Sequence, residues 1–169
     1  MLPVFYKTYW NLNEQFIGIL MALNGVIIVI IEMILGYSLE GTKPLTTFIR
    51  TGIFLVGAGY LLINILPASA AAAIAIITII TIGEILSMPF MNSFWIKRTS
   101  ETNRGQYAAM YTIAWSVAQI AAPTLGSEVV QHKGYTVLWW IIPAVCLMAS
   151  AGFAFLGSRI NRLETQFAS

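Results

Sequence analysis

Apolar residues in this chain come in long blocks, and polar residues come in short clusters between them. The blocks cover residues 16–37, 48–66, 70–95, 107–130 and 137–157. Each is near the ~20 residues that a helix needs to cross a bilayer core, where backbone groups must bond within the helix because lipid offers them no partners. A membrane β-barrel would need ~10-residue segments of strict alternation, and runs such as 26–31 and 70–80 do not alternate. The pattern predicts an all-α fold: a polytopic transmembrane helix bundle in one domain spanning residues 1–169, with a polar tail over 158–169.

The punctuation supports these boundaries. Glu40-Gly41-Thr42-Lys43-Pro44 follows the first block, Pro67-Ala68-Ser69 the second, and Lys133-Gly134 precedes the fifth. Residues 1–15 lack the order of a cleavable secretory signal. Their aromatics, Phe5, Tyr6, Tyr9 and Trp10 beside Lys7, suit either an interfacial anchor or the end of a partial N-terminal span.

Composition narrows the class further. Hydrophobic residues make up 58% of the chain and charged ones 9%, against about 25% charged in an ordinary soluble domain. The net charge of +2 is spread over several loops, so no basic face exists for nucleic acid. Cys146 is the only cysteine and His132 the only histidine, which leaves no disulfide framework or metal-ligand cluster. No cofactor is expected, and the absence of nucleophile-elbow, zinc-helix and phosphate-loop motifs argues against an enzyme.

Lys and Arg are distributed asymmetrically. Lys43, Arg50, Lys97, Arg98, Arg104, Arg159 and Arg162 fall on one side of the predicted bundle, and Lys7 and Lys133 on the other. Cytoplasmic loops accumulate these residues, so the Lys97 loop and the C-terminal tail are expected in the cytoplasm. The N-terminus then lies outside, which suggests a further helix upstream and Met1 as an internal methionine or a truncation point.

Glu84 is the main candidate for chemistry. It lies about 2 Å from the midplane of its span at 1.5 Å per residue, where an idle carboxyl costs at least ~2.5 kcal/mol unless protonated, paired or wetted. It serves either as a substrate or proton site, or as a protonated group that hydrogen-bonds a neighbouring helix. Thr81, Glu84, Met88 and Met91 share one helix face, and Pro89 should bend the helix beside them. Glu32, about 8 Å from the centre of its own span, is a secondary intramembrane charge shallow enough to snorkel.

In the fourth block Ala114, Ala118, Ala122 and Gly126 repeat every four residues, the spacing of a close helix interface. Tyr107, Tyr111, Trp115 and Gln119 repeat on the adjoining face, which lines a cavity or packs in the ordinary way.

Certain blocks carry a family likeness. Gly83-Glu84-Ile85-Leu86-Ser87-Met88-Pro89-Phe90, followed by a charged loop and Arg104-Gly105-Gln106-Tyr107, resembles helices ten and eleven of a major facilitator superfamily transporter, most closely the bacterial multidrug efflux members. The stretch 17–25 resembles the opening of helix eight, and Pro3-Val4-Phe5-Tyr6 the exit of helix seven. The likeness implies the C-terminal half of such a transporter, with helices eight to twelve complete. Glu40-Gly41-Thr42-Lys43-Pro44 is then a degraded copy of the family's loop signature without its basic run.

The resemblance further implies alternating access driven by protons. A small organic substrate would bind near Glu84, Thr81, Met88, Tyr111 and Gln119, and Arg104 with Gly105 would shape a cytoplasmic loop. The implied partners are the lipid bilayer of the cell membrane, the substrate, protons and a missing N-terminal half. A truncated chain that transports nothing, or serves as an assembly partner, is the competing expectation.

Overall fold

The computed structural model describes residues 1–39 and 41–167, with side chains described at all of these except 33, 35–37, 161 and 163–167. Glu40 of the loop motif and residues 168–169 of the tail lie outside the described residues. The described residues form five helices joined by short connectors: α1 (Leu2–Thr8), α2 (Glu14–Leu39), α3 (Leu45–Ile65), α4 (Ala70–Ile96) and α5 (Arg104–Phe167). Ser69 starts α4 as a side-chain cap, accepting from the Ala72 N–H at 3.1 Å. Asn11, between α1 and α2, adopts φ 49°, a conformation that asparagine tolerates better than most residues.

α5 contains two of the predicted spans. Its apolar stretch of 57 residues would extend about 85 Å as one rod, far beyond the ~30 Å hydrocarbon core. The helix breaks at Gly134, where φ is 81° and ψ 170°, a region open only to glycine at low cost. The chain turns back there: a Cβ on Gly126 would meet Leu138 Cδ1 at 3.8 Å, although residues at that spacing stand about 18 Å apart along a straight helix. The connector expected between residues 130 and 137 is thus a single glycine, with helical arms of 104–133 and 135–167 on either side.

Contacts set the remaining directions. α3 runs antiparallel to α4, since Phe48 stacks on Phe90 and Gly59 faces Ile80. It also runs antiparallel to the arm 135–167, with Thr46 against Gly157, Gly57 against Cys146 and Tyr60 against Trp139. α2 lies along α4, joined by Asn24 and Thr81. Two apolar clusters form in this four-helix arrangement. One gathers Phe5, Tyr6, Ile17, Leu20, Ile76 and Trp139, and the other Phe48, Ile49 and Phe90. The aromatics near the N-terminus therefore divide: Phe5 and Tyr6 belong to a core, whereas Tyr9 remains exposed.

Within this chain the small-residue stripe expected at a helix interface is largely open. Ala114, Ala118 and Ala122 are exposed, and only Gly126 is buried, against Met1 and Leu138. The close crossing lies between α3 and α4 instead. A Cβ on Gly52 would stand 2.5 Å from the Gly83 carbonyl oxygen, and one on Gly83 would stand 2.7 Å from the Gly52 carbonyl oxygen. Small residues promote close helix approach only where a neighbour is present, and the arm 104–133 has few neighbours within this chain. Arg104 and Gly105 open α5, directly after the charged loop they are expected to shape.

Candidate functional site

Between the two apolar clusters, α4 carries a polar layer. Thr81, 1% exposed, donates its hydroxyl proton to the Ile77 carbonyl at 2.7 Å. Its oxygen accepts from the Asn24 amide of α2 at 2.6 Å. One turn along α4 the half-buried Glu84 carboxyl interacts with the same Asn24 side chain, and Tyr60 of α3 lies within its electrostatic reach. Asn24 thereby joins the two polar side chains that the α4 periodicity places on one face. Buried polar groups require such partners, because each unmade hydrogen bond costs about 1–3 kcal/mol.

The backbone around Glu84 is shaped by its neighbours. Gly83 admits the α3 backbone, and Ser87 donates to the Gly83 carbonyl at 2.8 Å. Pro89 lacks an N–H, so the usual hydrogen bond to the Ile85 carbonyl cannot form. The helix nevertheless continues through Pro89 to Ile96. Glu84 therefore stands on a segment locked on one side by α3 and loosened on the other by a proline.

Tyr60 extends the layer toward the other end of α3. It stacks on Trp139 with ring centroids 5.7 Å apart and lies within electrostatic reach of Tyr6. Around it Tyr6 Oη, Asn64 Nδ2 and Trp139 Nε1 are buried without hydrogen-bond partners among the described residues. Buried donors of this kind are normally satisfied by ordered water or a further polar group.

The sequence-predicted site residues are only partly brought together. Thr81 and Glu84 share the layer, while Met88 lies on the exposed side of α4 at 41% exposure. Tyr111 stacks on Trp95 at 5.9 Å, about 16 Å along α4 from Glu84, so it does not line the same site within this chain. Gln119 is exposed and borders a shallow hollow with Trp115 and Ala118. Glu32 is half-buried on α2 and forms no ion pair among the described residues. Asn24 and Tyr60 are the additions that the fold makes to the candidate set.

Among the described residues no group of histidine, cysteine and carboxylate side chains is arranged to hold a metal ion. Four helices among the described residues are long and apolar enough to cross a membrane, α5 counting as one of them. A family model described as Major Facilitator Superfamily matches residues 1–166. No curated relative and no solved structure matches the chain.

Proposed function

Because the chain belongs to the Major Facilitator Superfamily, a family of multi-pass secondary transporters rather than enzymes, we propose that it forms the C-terminal half of a proton-coupled carrier. The carrier moves a small organic molecule by alternating access, with outward drug movement as the direction that its likeness to efflux members suggests. The observation that carries this reading is the Asn24–Thr81–Glu84 layer. A carboxyl at mid-depth, held by a neutral amide instead of a cation, can gain or lose a proton without breaking an ion pair. Alternation of two halves about a site near the midplane is the general design of such carriers.

The exposed arm 104–133 has room for a second half on the face that carries Gln119. Met110, Ile113, Val117, Ile120 and Leu125 are all at least 59% exposed on it, and polar Gln119 accompanies them on a helix that lipid alone would not favour. The same observation favours a second reading, in which the chain is an assembly partner without transport of its own. Reconstitution separates them. The chain co-purified with a six-helix complement should drive substrate movement in response to a pH gradient in liposomes, and the chain alone should not. Complexes that form and never transport would support the assembly role.

We further propose that the Lys97 loop and the C-terminal tail face the cytoplasm of the cell membrane, on the Lys/Arg asymmetry. In a Cys146→Ser background, a cysteine at Ser100 should resist membrane-impermeant reagents in intact cells. Rapid labelling there would reverse the orientation.

A further inference from the structure

Tyr60 and Asn64 stand one turn apart on the same face of α3, toward the bundle end where that helix finishes. The core there is otherwise apolar, with Ile63, Ala73 and Ile76 buried in it. Three donors from three elements lie inside this end: Tyr6 Oη of α1, Asn64 Nδ2 of α3 and Trp139 Nε1 of the arm 135–167, none with a hydrogen-bond partner among the described residues. Tyr6 is 0% and Trp139 1% exposed, so bulk solvent reaches neither. Trp139 is fixed by its stack on Tyr60 and by an edge contact with Phe5 at 5.2 Å. A buried donor left unmatched costs about 1–3 kcal/mol, so donors gathered around the Tyr60 ring call for an acceptor.

The surroundings select the acceptor. The titratable groups within electrostatic reach of Tyr60 are Tyr6, Glu84 and Cys146, and none is a cation. Lys7 and Glu14 pair with each other at the surface. An anion would lose its hydration here without a counter-charge, whereas ordered water typically makes about three hydrogen bonds to buried groups of this kind. Tyr60 stands between these donors and the mid-depth carboxyl. Its neighbour Gly59 faces Ile80, one turn before Glu84 on α4, and Glu84 is within its electrostatic reach. We propose that ordered water seated on Tyr6, Asn64 and Trp139 joins the Tyr60 hydroxyl in a route that carries a proton to Glu84 from the bundle end bearing Lys7 and Lys133. The route rests on the reading of Glu84 as the coupling group. A proton entering past the partly exposed Asn64 adds to the bound water, which passes one proton to the Tyr60 oxygen. Tyr60 releases its own hydroxyl proton to the Glu84 carboxylate. Water and phenol are restored, the carboxylate becomes a carboxyl, and nothing is oxidised or reduced.

Two measurements on the full chain in mild detergent test this. Radiolytic hydroxyl-radical footprinting, read by mass spectrometry, oxidises side chains that touch bound water. After correction for intrinsic reactivity, Tyr6 and Trp139 should be oxidised about as fast as the exposed Tyr9, and the buried Phe48 and Phe90 far more slowly. Protection of Tyr6 and Trp139 equal to that of Phe48 and Phe90 overturns the water site. The second measurement follows the Glu84 carboxyl band in the infrared after a downward pH jump, the band being identified by its loss in Glu84→Gln. Tyr60→Phe keeps the ring stacked on Trp139 and removes the hydroxyl, and should slow the rise of the band severalfold with unchanged melting temperature. Asn64→Leu, which removes the amide at the solvent end, should slow it as well. A rise as fast in both variants as in the parent overturns the route. A slowed rise combined with full gradient-driven accumulation by Glu84→Gln in the assembled carrier upholds the route and overturns the coupling role of Glu84 instead.

Discussion

The α3–α4 pair and the arm 104–133 are both built with small residues at helix-contact spacing, yet one is closed and the other open. In the pair, Gly52 and Gly83 bring two backbones into contact. On the arm, Ala114, Ala118 and Ala122 face outward. Small residues therefore stand in two settings: a seam packed within this chain, and a face that this chain leaves exposed. Lipid supplies little force between helices, so close van der Waals contact decides where association occurs.

The largest effects should come from filling the closed seam. Gly83→Leu places a branched side chain against Val56 and the Gly52 carbonyl, and should abolish recovery of folded monomer by size-exclusion chromatography. Gly52→Ala is milder and should cost about 1–3 kcal/mol, seen as a lower melting temperature in detergent. Wild-type stability in both variants would mean that the helices separate freely at this point.

Ala118→Leu sharpens the contrast. In the chain alone it should leave the melting temperature unchanged, since Ala118 is exposed. With a six-helix complement it should reduce co-purification severalfold. A loss of stability in the chain alone would place the arm against its own bundle.

A smaller effect is expected from Asn24→Ala, which removes the amide shared by Thr81 and Glu84. Interhelical hydrogen bonds in membranes average about 0.6 kcal/mol, so the thermal shift should be slight. The functional consequence should be greater than the stability change, with transport displaced along the pH axis when assayed in the assembled carrier. An unchanged pH profile would detach Asn24 from the coupling group.

The helices were legible because an apolar block of ~20 residues has few other structural solutions in lipid. Glu84 was legible for a related reason, as a carboxylate in such a block stands out by cost alone. The same reasoning applied to Asn24, midway along the block 16–37, would have marked it as well, but an amide is a weaker outlier than a charge. Which small-residue stripe finds a neighbour is not encoded in spacing. Residues 52, 57 and 59 of α3 meet α4 and the arm 135–167, and only the topology reveals it. Tyr111 stands on Trp95 and not beside Glu84 within this chain, which periodicity could not show because it aligns side chains along one element without stating what stands opposite.

The central claim is that Glu84 couples a proton to transport, and one substitution tests it most directly. Glu84→Gln preserves size and hydrogen bonding to Asn24 while removing titration, and Glu84→Asp retains it with a side chain shorter by one methylene. In liposomes containing the assembled carrier, substrate exchange at equal pH and accumulation driven by a pH gradient are measured side by side. The account predicts that Glu84→Gln keeps exchange and loses gradient-driven accumulation, with Glu84→Asp retaining part of both. Full accumulation by the Gln variant would contradict it, and Glu84 would then be a structural hydrogen-bonding residue.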